Sequence, residues 1–197
     1  MTTIKKITSS IKANMQSVSQ HKVYPNTPGL YAFSLAKGAS LKKFGDSGRI
    51  VYVGKAEDSL KKRDFDTHFN DKRTGSSTLR RSIGAILKIK LKAIAFSRNG
   101  TVVKPNIDNY KFNTKAEQKL SQWMKDNLLI GYWEYNTAAE KETLRDIEEQ
   151  LIIALKPTLD LDKRTVKYNK HAPALKILRQ ACKDEATQNV IDKTVYY

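Results

Sequence analysis

The sequence is poor in cysteine, in long apolar runs and in acidic residues, and each shortage narrows the class of protein. A single cysteine, Cys182, rules out a disulfide framework within the chain and a zinc site built from several cysteines. No apolar run approaches the roughly 20 residues of a membrane-spanning helix, and the N-terminus lacks the apolar core of a signal peptide. We therefore expect a cytoplasmic protein with no membrane partner.

Acidic residues are outnumbered by basic ones, 20 against 36, which leaves a formal charge of +16. A field of this sign favours a polyanion, because each neutralised phosphate releases a condensed counterion. A generic basic surface, or contact with acidic lipid, would also explain the charge. The composition therefore favours nucleic acid as a partner, DNA first with RNA not excluded, and indicates nothing about cleavage or oligomeric state.

Residue patterns predict both strands and helices in this chain. Segments 29–35, 49–54 and 128–135 are rich in β-branched and aromatic residues, and the loop between the first two fits an antiparallel hairpin. Helices are predicted after Asp58 and Ser77, and T-x-x-E capping boxes predict two more that open at Thr114 and Thr137. We expect an α+β fold with a small, mainly antiparallel sheet of about three strands flanked by helices.

The same patterns suggest a division of the chain. Residues 1–24 are interpreted as a basic N-terminal arm or a loosely docked helix, and residues 25–163 as the main domain. The polar segment 91–113 is a possible insertion in that domain. Residues 164–197 are a C-terminal extension with a helical stretch over 174–181. Extra helical segments are thus expected at both ends.

Glu148 lies on the apolar face of the helix predicted after Thr137. It follows Leu144 by four residues and precedes Leu151 by three, spacings that put all three on one face. A carboxylate in an apolar stripe is costly unless it is paired or holds a cation. A glutamate that flanks the stripe and reaches water or a lysine is the alternative. Glu149 lies about 100° further round the helix and is expected at the surface.

Several further polar residues lie on or just after the first two predicted strands. Tyr31 and Tyr52 are central in their strands, so antiparallel pairing could bring them to one face, although strand tyrosines are usually packing residues. Lys55 follows the glycine that ends the second strand, where a phosphate could sit. Arg63 and His68 lie on the next predicted helix, where the simpler interpretation is a surface residue.

In their order along the chain, these motifs resemble the GIY-YIG nuclease family. The sequences GLY at 29–31 and YVG at 52–54 resemble its paired signatures, and VYVGKA followed by SLKKR resembles the version found in the repair enzymes. EEQLI at 148–152, followed by Pro157, resembles the segment that carries the family's metal-binding glutamate. Glu148 is the matching residue and Glu149 is not. The resemblance covers residues 28–160.

The resemblance implies a divalent-metal-dependent endonuclease that cuts DNA. Glu148 would bind Mg²⁺ or Mn²⁺, which commonly uses one or two carboxylates together with water and substrate phosphate. Arg63 would hold the scissile phosphate through its planar donors. Tyr31 or Tyr52 would help to remove a proton from the attacking water, with Lys55 as a cationic neighbour.

The implied site has further members and some departures from the family pattern. His68 is a catalytic candidate, but it follows Arg63 by five residues, whereas the family often has Tyr or His four residues after the arginine. Asp160 stands where the family frequently has Asn. Basic side chains proposed to contact nucleic acid, with a solvated charged face as the alternative, are Lys61, Lys62, Arg80 and Arg81.

Rival functions follow from the same residues. One is a nuclease for branched or damaged DNA, or for RNA. Another is a non-catalytic DNA- or RNA-binding module that keeps the fold, since fold alone does not establish activity. A basic protein associated with ribosomes or membranes would explain the charge but not Glu148.

Overall fold

A computed structural model describes residues 4–21, 23–136 and 142–195 of the chain. Its helices are α1 (Ile4–Ala13), α2 (Leu60–Arg63), α3 (Thr78–Ile86), α4 (Lys88–Leu91), α5 (Lys104–Asp108), α6 (Thr114–Asn127), α7 (Leu144–Leu155) and α8 (Ala172–Val195). Its strands are β1 (Gln16–Ser17), β2 (Gly29–Leu35), β3 (Ile50–Ala56), β4 (Ala95–Phe96), β5 (Lys111–Phe112) and β6 (Leu128–Glu134).

Within these ranges the strands form a four-stranded antiparallel sheet, in the order β1-β6-β2-β3, and a separate pair, β4-β5. The predicted α+β fold with a small antiparallel sheet is therefore confirmed. The three predicted strands are β2, β3 and β6, and the fourth strand is the two-residue β1. No helix in the described part of the chain is long and apolar enough to cross a membrane.

The chain divides into two compact units that interleave along the sequence. The first unit comprises residues 1–66 and 125–172, and the second comprises 67–124 and 173–197. This division differs from the predicted order of arm, domain and extension. The suggested insertion, residues 91–113, supplies β4, α5 and β5 to the second unit.

The core of the first unit lies between the sheet and two helices, α1 and α7. Strand β2 is buried along its whole length because it lies between β6 and β3. The core cluster consists of Ile7, Ile11, Leu30, Ala32, Val53, Leu144, Ile147, Leu151 and Ile152. Ile7 and Ile11 of α1 are fully buried in it, so this part of the N-terminal segment is a packed helix.

Helix α7 begins six residues later than the sequence suggests. Thr143 is its N-cap, and its hydroxyl accepts a hydrogen bond from the backbone N–H of Asp146. The predicted capping box of Thr137 and Glu140 lies outside the described residues. The helix ends at Leu155, before Lys156 in the left-handed conformation and Pro157.

The segment that follows α7 runs along the open edge of β3. The N–H of Leu159 donates to the carbonyl of Val51 at 2.8 Å, and the N–H of Val53 donates to Asp160 Oδ2 at 3.1 Å. These bonds satisfy backbone groups that an edge strand would otherwise leave unpaired. They also bring the end of α7 beside the strand that carries Tyr52 and Lys55.

The second unit is organised around a buried arginine, Arg80 of α3. Its guanidinium donates to Glu117, Thr74 and Ser121 and to the carbonyl of His68. Glu117 also accepts from the N–H of Phe112. The prediction that Glu117 closes a capping box on Thr114 was therefore wrong, because its carboxylate neutralises Arg80 instead.

Candidate active site

Tyr31 and Tyr52 lie close together on one face of the sheet of the first unit. In the β2–β3 register Tyr31 pairs with Gly54 and Tyr52 pairs with Phe33, so the two tyrosines are diagonal neighbours. Their ring centroids are 6.3 Å apart. Tyr31 is fully buried and Tyr52 is nearly so. Antiparallel pairing thus brings the two predicted tyrosines together.

Gly54 makes room for the ring of Tyr31. A Cβ atom at this position would lie 2.5 Å from Tyr31 Oη and 2.6 Å from Cζ, closer than van der Waals contact allows. A glycine inside a strand often marks such a close approach. The final residue of the YVG sequence is therefore required by the packing of a tyrosine from the neighbouring strand.

Lys55 belongs to the other side of β3. Side chains alternate along a strand, so Lys55 shares a face with Val53, which packs in the core against α7. Its ammonium group forms an ion pair with Glu57, which is largely exposed, while Lys55 itself is half-buried. The positive charge of Lys55 also lowers the pKa of Glu148.

Glu148 is a buried carboxylate on α7, with 8% of its surface exposed. Burial has the largest effect on it and raises its pKa, because the charged form loses solvation. A hydrogen bond from Arg164, 3.2 Å from Glu148 Oε2, and the charge of Lys55 act in the opposite direction. The carboxylate is thus removed from bulk water and faces two cations.

Arg164 is a site residue that the sequence did not reveal. Its guanidinium contacts three carboxylates, those of Glu148, Glu149 and Asp162, at 3.0–3.2 Å. It lies in the irregular segment after α7, where no helical or strand periodicity ties it to Glu148. The sequence offers only its position two residues after Asp162 as a hint of pairing.

Asp160 is a second buried carboxylate beside the same strand. It accepts the hydrogen bond from Val53 N–H, and the side chain of Asn169 donates to its backbone carbonyl at 2.8 Å. Burial raises the pKa of Asp160 well above its ordinary value, and the nearby charges of Glu148 and Asp162 raise it further. Its role in the structure is to cover the edge of β3.

The basic residues predicted around α2 lie in the first unit. Lys61 and Lys62 are exposed, as contacts with a phosphate backbone would require, and Arg63 is half-buried at the end of α2. The helix predicted after Asp58 is α2, which ends at Arg63 and is followed by a π-helical turn over Asp64–His68.

His68, Arg80 and Arg81 belong to the second unit and are buried. His68 Nδ1 lies 2.7 Å from the hydroxyl of Ser77, the residue that caps α3. The guanidinium of Arg81 donates to the backbone carbonyls of Thr74 and Gly75. The expectation that Arg80 and Arg81 offer their side chains to phosphate is corrected. Both residues are buried, and their guanidinium groups donate hydrogen bonds within the second unit.

The residues around Glu148 fit a cation that takes few protein ligands. No group of three or more His, Cys, Asp or Glu side chains arranged to hold a metal occurs among the residues that the structure describes. Magnesium does not need one, since it usually binds through one or two carboxylates and completes its shell with water and substrate phosphate. A single buried carboxylate is compatible with that arrangement.

Comparison with known protein families gives one result that bears on this site. Residues 31–181 match the family model described as the GIY-YIG catalytic domain. The match covers more than half of the chain and includes every candidate residue from Tyr31 to Glu148. Neither curated proteins nor solved structures give a significant match.

Proposed function

The chain belongs to the GIY-YIG nuclease family, and from this premise we propose that it is a divalent-metal-dependent endonuclease that hydrolyses phosphodiester bonds in DNA. Membership implies an endonuclease-type hydrolase that acts on nucleic acid. The choice of DNA, the site residues and the metal ligand are parts of the proposal. So is a cytoplasmic location, which rests on the sequence alone.

The observation that carries the proposal is the environment of Glu148. The carboxylate is buried on α7, which packs on the face of the sheet that carries Val53 and Lys55, whereas Tyr31 and Tyr52 lie on the opposite face. Its partner Arg164 also contacts Glu149 and Asp162. A carboxylate is kept on a core-facing helix only when its charge is compensated. Arg164 and Lys55 favour the ionised form of Glu148, which is the form that binds a hard cation, and the metal would share the carboxylate with Arg164 or replace it there.

Mg²⁺ or Mn²⁺ held by Glu148 would stabilise the negative charge that develops on the phosphate during hydrolysis. Arg63 would orient the scissile phosphate, because its planar fork can donate two parallel hydrogen bonds to phosphate oxygens. Lys55 would add positive charge next to Glu148. Tyr31 or Tyr52 would help to remove the proton of the attacking water, as a phenolate that accepts the proton and becomes a neutral phenol. Cationic neighbours would lower the pKa of the tyrosine enough for this role.

Nucleic acid would be held by the positive charge of the protein and by exposed side chains of α2. Lys61 and Lys62 are exposed next to Arg63 and are suited to contact neighbouring phosphates. Arg80 and Arg81 are left out of this surface because they are buried. The net charge of +16 predicts binding that weakens steeply with salt.

Supercoiled plasmid tests the proposed reaction. The full chain is expected to convert it to the nicked form in Mg²⁺ or Mn²⁺ and to leave it intact in EDTA. Cleavage that proceeds equally in EDTA would contradict metal dependence. Binding without cleavage of plasmid, branched DNA and RNA in either metal would identify a nucleic-acid-binding module that keeps the fold.

A further inference from the structure

A cavity of about 450 Å³ lies in the first unit, and none of the residues that line it belongs to the site described above. It is formed by the loop between β2 and β3, by the segment after α7 and by the residues that precede α8. Among the residues that line it are Lys43, Phe44, Arg49, Thr158, Lys170 and His171.

The lining of the cavity is strongly positive. Lys43, Arg49 and Lys170 come from different parts of the chain, and Asp46 is the one carboxylate among the lining residues. The carboxylate of Asp46 accepts a hydrogen bond from the Ser40 hydroxyl at 2.6 Å. All three basic residues are exposed, so water screens their repulsion, and an anionic ligand would reduce it further.

Thr158 belongs to the wall of the cavity. The residue is 2% exposed, and its buried hydroxyl has no hydrogen-bond partner in the part of the chain that the structure describes. An oxygen closed off from solvent does not contact a ligand in the cavity unless the wall moves, so the cations, and not Thr158, carry the site.

The cation of Arg49 is fixed in place by its surroundings. Its stem packs on Gly45, where a Cβ atom would lie 2.8 Å from Arg49 Cγ and where φ is +144°. Its guanidinium donates to the carbonyl of Lys156 at 2.7 Å.

The ring of His171 packs against Phe44 with 5.9 Å between centroids. The pKa of His171 is lowered, first by burial and then by Lys170, Arg49 and Lys43.

We propose that this cavity binds a phosphate group of the nucleic-acid backbone, a few nucleotides from the bond that is cut. The assignment rests on the proposed function for its choice of nucleic acid. Thr158 directly precedes Leu159, which is bonded to Val51 at the start of β3, whereas Lys55 lies near the end of that strand. Four residues of strand span about 13 Å, which corresponds to a few nucleotide steps.

Inorganic phosphate tests the cavity without any need for cleavage. The ring signals of His171, one of three histidines in the chain, are followed by NMR in the full chain and assigned by their loss in His171→Gln. They are expected to shift saturably with phosphate. The shift should vanish in Arg49→Gln/Lys170→Gln and persist in Lys5→Gln/Lys125→Gln, which removes the same charge from exposed lysines outside the cavity. An absent shift, or one equally lost in both pairs, overturns the site.

A fluorescent DNA duplex in EDTA then tests the occupant. Arg49→Gln/Lys170→Gln (the cavity pair) should raise the Kd for duplex about tenfold more than Lys5→Gln/Lys125→Gln (the matched pair). It should also lower the salt dependence of binding, since charged hydrogen bonds to phosphate are lost. If phosphate binding is lost but duplex affinity equals that of the matched pair, the nucleic-acid occupant is wrong and the cavity takes free phosphate.

The two proposals fail separately. A chain that never cleaves DNA in Mg²⁺ but shows the cavity effect in EDTA would reject the nuclease and keep the phosphate site. Normal cleavage by the parent chain, together with equal duplex binding by the cavity pair and the matched pair, would keep the nuclease and reject the phosphate site.

Discussion

Tyr31 lies across Gly54, its direct partner on the neighbouring strand, so closely that a single methyl group at Gly54 would collide with the phenol oxygen. The contact links the two sequence signatures physically, because one supplies the tyrosine and the other supplies the gap. It also fixes the position of Tyr31 relative to Tyr52, whose ring is 6.3 Å away. Changes at Gly54 should therefore act through Tyr31.

Gly54→Ala is expected to lower the rate of plasmid nicking about 100-fold, since a displacement of about 1 Å in a catalytic group can cost that much. Tyr31→Phe separates this effect from general damage. In the Tyr31→Phe background the alanine should add little, because the hydroxyl that it displaces is already gone. Equal losses from Gly54→Ala in both backgrounds would show that the glycine does not act through Tyr31.

Asp160→Asn is expected to stabilise the protein at neutral pH. Burial raises the pKa of Asp160 in the folded state above its unfolded value of about 3.9, so the folded state binds the proton more tightly. Asp160 therefore costs no stability below that pH and becomes a penalty as pH rises through the raised pKa. Asparagine keeps an acceptor for Val53 N–H without the charge. Urea unfolding should show a gain in stability at pH 7.5 that disappears near pH 4.

Asp162→Asn should behave in the opposite way and is the natural control. The hydrogen bond from Arg164 lowers the pKa of Asp162, so its contribution to stability is present above the unfolded pKa and is lost as pH falls through the lower, folded value. The substitution should cost a little stability at pH 7.5 and nothing at low pH, with a small effect because Asp162 is substantially exposed. A gain at pH 7.5 would contradict this assignment.

Arg80→Ala should lower the free energy of unfolding by about 3–5 kcal/mol, because it leaves the buried carboxylate of Glu117 without its cation. Chemical denaturation measures the loss. Lys61→Ala removes an exposed charge and should stay within about 0.5 kcal/mol of the parent. If Arg80→Ala left stability unchanged and instead weakened DNA binding, Arg80 would be a phosphate contact after all.

Arg63→Lys tests the proposed phosphate clamp. Lysine keeps the charge but lacks the planar fork, so the rate of the chemical step should fall about 100-fold while the affinity for duplex changes little. Lys62→Gln, which removes a neighbouring exposed charge, should instead weaken binding and leave the single-turnover rate near that of the parent. Full activity in Arg63→Lys would show that charge alone suffices there.

The sequence predicted what local patterns determine. The β2, β3 and β6 segments were found from their β-branched and aromatic residues, and Glu148 from its position on an apolar helical face. Packing confirms the second point, since its neighbours Leu144 and Leu151 lie in the core cluster and Glu148 is buried among them. Periodicity is informative there because a single helix carries the whole pattern.

The sequence could not predict what depends on distant segments. Arg80 was predicted to be a surface cation because its partner Glu117 is 37 residues away in the sequence. The partners of Arg81 are nearer, but they are backbone carbonyls of Thr74 and Gly75, which side-chain patterns do not reveal. Arg164 was missed because it lies in an irregular segment, whose side chains follow no period. The interleaving of the two units was equally hidden, since it is set by long-range packing and not by composition.

The comparison of Glu148→Gln with Glu149→Gln tests the central claim most directly. The two residues are adjacent on α7, both contact Arg164 and carry the same charge, but only Glu148 is buried on the core-facing side. In a plasmid-nicking assay with Mg²⁺, Glu149→Gln should cut at close to the parent rate, and Glu148→Gln should show no metal-dependent cutting while it still binds DNA. If Glu148→Gln cuts as fast as the parent, Glu148 is not the metal ligand and the proposed site is wrong.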